Sequence, residues 1–174
     1  MQRSSRSRPS PRSWGPHDGE ENPVTSTVTG SGAGRRRSKE VAGGLVSTAD
    51  DYLAFASALL AGGTHHGERV LSRPSVALMT SDHLTPAQKA VSGFWPEYVD
   101  TMGWGFGMSV RTRRTHLGPS VGSYGWPGFY GTAWYDDPAE DMTTIFIRQR
   151  PHAGDQRLPM SHDFWTVVYQ AIED

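Results

Sequence analysis

Gly103-Trp104-Gly105-Phe106-Gly107 and Tyr124-Gly125-Trp126-Pro127-Gly128-Phe129-Tyr130-Gly131-Thr132 are the stretches whose reading decides the fold. From Gly103 onward the pattern is that of strands. Residues 104–111 alternate glycine with larger side chains, which predicts a strand with another backbone pressed close to it. Residues 120–126 and 130–136 read as two strands, or one bent strand, flanking Pro127-Gly128. Asp136-Asp137-Pro138 then opens a charged hairpin turn that takes in Glu140 and Asp141. Residues 142–149 have the β-branched and aromatic content of a buried strand. A closing helix is expected at 161–172, with Phe164, Val167, Val168, Ala171 and Ile172 as its apolar side.

Working upstream, Ser47 and Thr48 each precede an acidic residue (Asp50, Asp51) by three positions, a capping-box-like start. Leu53, Ala56, Leu59 and Leu60 then share one face of a helix that should stop at Gly62-Gly63. After a loop holding His65, His66 and Gly67, Ser72 is an N-cap with Pro74 in the first turn. Val76, Leu78 and Met79 form the expected buried side of that helix. Residues 84–100 read as irregular, broken by Pro86, Gly93 and Pro96. Helices, then an antiparallel meander, then a closing helix make an α+β chain.

The first forty residues differ from the rest. They hold five apolar side chains (Met1, Trp14, Val24, Val28, Ala33) and eight basic against four acidic residues, a net +4, while the remainder carries nine against fourteen. So little apolar surface cannot offset the entropy of ordering, so 1–40 is expected to be a disordered tail and 41–174 the folded portion. Arg35, Arg36, Arg37 and Lys39 read as a solvated charge run. The overall charge of -1 gives no argument for a nucleic-acid partner. No apolar run is long enough for a membrane span and no signal peptide is visible, so a cytoplasmic location is expected. There is no cysteine. The histidines show no H-E-x-x-H and no third ligand, and the acidic run at 136–141 lacks calcium-loop spacing, so neither metal nor cofactor is expected.

Three stretches, in this order, resemble the C-terminal half of the serine β-lactamase-like hydrolases, which include class C β-lactamases, penicillin-binding proteins and related esterases. They are Gly43-Gly44-Leu45-Val46-Ser47-Thr48-Ala49-Asp50-Asp51-Tyr52 running into Leu59-Leu60-Ala61-Gly62-Gly63, then Leu71-Ser72-Arg73-Pro74-Ser75-Val76, then the two glycine-rich stretches quoted first with Asp137-Pro138 behind them. The likeness is greatest to the esterase-type members. It implies the C-terminal part of a β-lactamase-like fold: an antiparallel sheet with a closing helix and flanking helices. It also implies ester or amide hydrolysis through an acyl-enzyme.

Such chemistry needs a serine and a lysine one helical turn apart, in S-x-x-K. The two lysines, Lys39 and Lys89, are preceded three positions earlier by Arg36 and Pro86, so the motif is absent. Y-x-N, S-x-N, K-T-G and G-x-S-x-G are absent too, and no catalytic nucleophile is assigned. What the resemblance does carry over is the third motif of the family. Trp126-Pro127-Gly128 stands where esterase-type members place a W-G-G, Phe129 would give the oxyanion-hole N–H, and Tyr124 and Trp126 would line the substrate pocket. The proline departs from the family pattern and removes an N–H from the strand. His116-Leu117-Gly118 matches an H-x-G variant, but lies before the strand that carries Trp126.

Three functional readings follow. The chain is a hydrolase fragment lacking its nucleophile, with 1–40 standing in for the missing half. Or it is a half-domain that complements a separate N-terminal half and then acts on a small ester or amide. Or it is a non-catalytic binding protein. In each case the apolar faces that would meet an N-terminal half are expected to be exposed.

Overall fold

A computed structural model of the chain describes residues 47–92, 96–128, 131–148 and 159–173; the expected tail at 1–40, and Phe129 and Tyr130, lie outside them. Helix α1 (Ala49–Leu60) starts where the sequence supplies a cap: the Thr48 hydroxyl accepts the Asp51 N–H at 3.1 Å. Asp50 and Asp51 face the positive end of the helix dipole. The helix stops at Gly62 and Gly63, whose φ of 65° and 93° few other residues tolerate. Ala56 and Leu59 are buried as expected. Leu53 is not: it is 44% exposed, and the contact with the sheet is made by Tyr52 and Phe55, whose rings sit 5.6 and 5.8 Å from Trp134. Both rings are themselves partly exposed, at 37% and 47%, and the buried side of the helix is Ala56 and Leu59.

Strands β1 (Thr64–His65) and β2 (Glu68–Arg69) form a small hairpin, turning on His66 and Gly67, both at positive φ as a type I′ turn requires. Helix α2 (Arg73–Met79) has Ser72 as N-cap and Pro74 in its first turn, as expected. Val76 is buried and Met79 partly so, but Leu78 is half exposed on the outer side. The stretch 84–100 is not irregular. It holds α3 (Pro86–Ala90) and α4 (Pro96–Thr101), each opening on the proline read as a breaker. A first helical residue has no intrahelical use for its N–H, so proline starts a helix where it would break one further in. Thr85 and Gln88 close a capping box at the start of α3.

The expected strand at 104–111 is instead a hairpin. Strand β3 (Met102–Trp104) pairs with β4 (Ser109–Arg111), and the turn between them contains Gly107 at φ 85°. Strands β5 (Tyr124–Pro127), β6 (Ala133–Asp137) and β7 (Met142–Phe146) follow, and the five run antiparallel in the order β3-β4-β5-β6-β7. Helix α5 (Pro159–Gln170) closes the chain. It buries Trp165 and Tyr169, four apart, while Val167 and Ile172, expected inside, are 64% and 39% exposed. The fold is α+β, with the antiparallel sheet and closing helix that the sequence implied.

All five residues of β6 are buried. Alternate side chains go to opposite faces. Trp134 joins Ala56, Leu59, Val110 and Tyr124 under α1, whereas Ala133 and Tyr135 join Met102 and Trp165 under α5. The same alternation separates two carboxylates that were expected in a solvated turn. Asp136 and Asp137 are 0% and 1% exposed. Asp136 Oδ1 accepts from Trp134 Nε1 (3.0 Å) and Thr143 Oγ1 (2.7 Å), and Oδ2 is buried without a partner. Asp137 accepts from Ser120 N (2.7 Å), Ala139 N (3.1 Å) and the Tyr169 hydroxyl (2.5 Å), so it ties α5 to the sheet. The turn itself is 138–141, with Asp141 at φ 48°.

The β3 edge is closed by the chain that follows α2. Trp104 N donates to Asp82 Oδ1 (3.0 Å), His83 N donates to Trp104 O (2.9 Å), and Phe106 N donates to Met79 O (2.9 Å). Lys89 Nζ lies 2.7 Å from Asp82 Oδ2. Burial acts to raise the Asp82 pKa, but Lys89 and the N–H groups of Leu84 and Trp104 hold it below the usual carboxylate value. Gly105 shows the close backbone approach expected of the stretch, since a Cβ there would run into the Met79 carbonyl, whereas one on Gly103 would run into the Asp82 side-chain carboxyl. Gly107, at the tip, has open space around it.

Two outcomes are expected. Gly103→Ala should cost about 2–3 kcal/mol by overpacking, and Gly107→Ala about 1 kcal/mol by its positive φ; equal losses in urea unfolding would remove Asp82 as the cause. Burial pushes the Asp136 carboxyl up to about 6, against the hydrogen bonds from Thr143 and Trp134 that act to lower it. A raised carboxyl pKa gives stability that is whole below pH ~4 and lost as pH rises through ~6. The wild-type chain should therefore lose on the order of 3 kcal/mol over that window relative to Asp136→Asn. Asp82, shifted downward, loses its contribution only at lower pH, so parallel curves between pH 4 and 7 would count against the Asp136 assignment.

Candidate functional site

Trp126, Pro127 and Gly128 lie together at the end of β5. Strand β5 is paired with β4 as far as Gly125 and with β6 as far as Pro127 opposite Ala133, so Pro127 is its last residue and meets β6 alone. The missing proline N–H therefore interrupts no ladder on the β4 side. Ser109 Oγ donates to Gly125 O at 2.7 Å and holds the middle of the strand. Gly128 N donates to Thr132 O at 2.6 Å, and Gly131 N to Gly128 O at 3.0 Å, which closes the loop that leads into β6. A Cβ on Gly128 would lie 2.6 Å from Thr132 Oγ1, so a side chain there would force the threonine to move.

Trp126, Pro127 and Gly128 are all half-buried here. The Trp126 ring meets Trp104 edge-on at 4.7 Å and Tyr98 at 6.3 Å. Trp104 was expected only to pack, and Tyr98 of α4 carried no signal in the sequence; the two join Trp126 because the hairpin and α4 bring them to the same strand end. Phe106, also expected to pack, is 53% exposed at the hairpin tip, stacked on His83 at 4.6 Å. A groove of about 500 Å³ is lined by Asp82, Leu84, Pro86, Lys89, Val99 and Asp100. Its wall thus includes the carboxylate that holds Trp104 and the residue after Tyr98.

Tyr124 is placed differently from the other motif residues. It is 3% exposed in the core under α1, with its ring 6.1 Å from Trp134. Burial, and then the neighbouring Asp136, push its hydroxyl above the ordinary phenol range, so it keeps its proton at neutral pH. Phe129 lies outside the described residues. His116 sits in the β4–β5 loop, at the opposite end of the sheet from Trp126, with its ring 4.2 Å from that of His162. Among the described residues no three His, Cys, Asp or Glu side chains are grouped to hold a metal ion. No described helix is long and apolar enough to cross a membrane.

Comparisons with known proteins bear on the family and the fold. The model of the Beta-lactamase family matches residues 3–162, a span that takes in most of the stretch expected to be a tail. "Protein Rv1367c" and "Uncharacterized protein MT1414", from two strains of Mycobacterium tuberculosis, are each 45% identical over 112 residues, 62% of this chain and 28% of theirs. The chain thus spans well under half the length of the curated relatives it matches. Among solved structures, EstCE1, "a hydrolase with promiscuous acyltransferase activity", superposes with a TM-score of 0.54 at 21% identity, over 73% of this chain and 30% of its own. Simvastatin synthase (LovD) from Aspergillus terreus superposes with a TM-score of 0.52 at 18% identity, over 68% of this chain and 32% of its own. At these identities the two superpositions speak for the fold alone. The family-model match covers most of the sequence, and the chain belongs to the Beta-lactamase family, a serine hydrolase-like group.

Proposed function

We propose that this chain supplies the third-motif half of an esterase-type active site and hydrolyses nothing by itself. The observation that carries the reading is the pairing of a half-buried Trp126-Pro127-Gly128 strand end with a sequence that contains no S-x-x-K. A separate N-terminal half would bring the serine and lysine. In the completed site the serine oxygen attacks the ester or amide carbonyl, the lysine region takes its proton, and the leaving alcohol or amine departs with a proton. Water then releases the acid from the acyl-enzyme. This chain's part is to wall the acyl group with Trp126 and Trp104 and to stabilise the oxyanion through a backbone N–H. The Gly128 N–H is already engaged by Thr132 O, which favours the next amide, that of Phe129, as the donor.

The test is complementation. The chain alone should leave 4-nitrophenyl butyrate and nitrocefin at the buffer rate. Mixed or co-expressed with the N-terminal portion of the M. tuberculosis relative, it should give a rate that a serine-directed fluorophosphonate abolishes. Phe129→Pro, which deletes one N–H, should lower the restored kcat by about 10²–10³, and Trp126→Ala should raise KM. Turnover by the chain alone, or a restored rate indifferent to Phe129→Pro, would refute the assignment.

A further inference from the structure

Charge is spread unevenly along residues 41–174. None of their fourteen acidic residues falls between 101 and 135, a stretch that holds Arg111, Arg113, Arg114 and His116. These four sit at the end of β4 and in the loop 112–123 that leads to β5. Among the described residues none of the three guanidinium groups has a carboxylate partner; the ion pair found there is Lys89–Asp82. Arg113 Nε donates to Asp100 O (3.4 Å) and Arg114 Nη2 to Gly118 O (2.8 Å), with the Arg114 guanidinium 5.9 Å from the centre of the Tyr169 ring. Both side chains are exposed.

The same loop exposes apolar side chains. Leu117 is 44% and Val121 58% exposed, although Pro119 between them is fully buried. The backbone beneath them is held in place. Gly122 N donates to Arg111 O and Thr112 N to Thr101 O, both at 2.9 Å, and Ser120 N donates to the buried Asp137 carboxylate at 2.7 Å. One exposed carboxylate meets the loop, Glu140, which accepts from Ser120 Oγ at 3.3 Å. A single exposed apolar residue needs no explanation. Two of them on an anchored loop that also carries unpaired arginines make the combination of apolar tip and basic flank that a lipid surface takes up.

We infer that the β4–β5 loop docks on an anionic phospholipid surface, with Leu117 and Val121 entering the headgroup region and Arg113 and Arg114 on the phosphates. This is a peripheral contact and not a span. Nucleic acid would match the charge but leaves Leu117 and Val121 without a role, since unpaired bases stack on aromatic rings and the loop holds no Phe, Trp or Tyr. The loop lies at the opposite end of the sheet from Trp126, so a docked chain turns the candidate site away from the lipid. The inference uses no motif residue and stands apart from the hydrolase reading.

Flotation of the intact chain with vesicles tests it. The chain should bind phosphatidylcholine vesicles that contain about 30% phosphatidylglycerol at ~0.1 M salt, and bind them less at ~0.5 M. Pure phosphatidylcholine should capture little. Arg113→Ser or Arg114→Ser should each weaken binding about fivefold, the share of one cation near an anionic surface. Arg113→Lys should bind as the wild type does, because the charge is kept while the hydrogen bond to Asp100 is lost. Leu117→Ser should weaken binding about threefold or more. Arg69→Ser, at an exposed site on β2, should leave it unchanged. Circular dichroism checks that each variant is folded. No binding to the mixed vesicles, or equal binding to pure phosphatidylcholine, would overturn the inference. So would binding that tolerates both Arg113→Ser and Arg114→Ser, because the contact then lies elsewhere, as on the basic run at 35–39. Capture of duplex DNA at ~0.15 M salt that Leu117→Ser leaves unchanged would overturn the lipid assignment in favour of a polyanion.

Discussion

The structure depends on burying a single strand from both sides. Strand β6 has every residue inside and a neighbouring strand along each edge, so any helix covering the sheet must pack against its alternating side chains. Trp134 fixes where α1 can lie, and Tyr135 fixes α5 through the Trp165 ring 5.4 Å away. The two carboxylates that follow extend the arrangement from packing to hydrogen bonding. Asp136 gathers the indole of Trp134 and the hydroxyl of Thr143, and Asp137 gathers Tyr169 and the 120 loop. Burying a carboxylate costs several kcal/mol unless donors surround it. Asp137 has three, whereas Asp136 has two on one oxygen only, and burial pushes the Asp136 carboxyl up to about 6.

How much was legible depended on whether the signal was local. Caps are local, so Thr48, Ser72 and the Gly62-Gly63 stop were readable from a few neighbouring residues. The start of α3 was equally local, in Thr85-Pro86 with Gln88 behind it, but the prolines were weighed as breakers without asking which turn of a helix they would occupy. The face that a helix buries is not local. Leu53 and Val167 are more apolar than the tyrosines near them, yet Tyr52 and Tyr169 make the contacts, because the partner is a wide aromatic surface and, for Tyr169, a buried carboxylate. Asp136-Asp137 misled for the same reason. Two adjacent acids before a proline look solvated until the donors arrive from Trp134, Thr143, Ser120 and Tyr169.

The candidate site divides along the same line. Trp126-Pro127-Gly128 could be placed at a strand end from its own residues, and of the two glycines read in 104–111 Gly105 does have a backbone lying against it while Gly107 has open space. Their partners were invisible, since Asp82, Met79 and Tyr98 belong to segments with no motif. Tyr124, two residues from Trp126, lies in the core because β5 there is still covered by α1 and flanked by β4, whereas Trp126 lies past the last β4 pairing. Within four residues one strand passes from scaffold to surface.

The closed β3 edge has a consequence for where the sheet can be extended. A strand can be added to a sheet only where backbone N–H and C=O groups still face outward. On the β3 side the Trp104 N–H and C=O are already taken by Asp82 and His83, so an incoming strand finds no register there, and the Asp82–Trp104 contact works as the sheet's end-group.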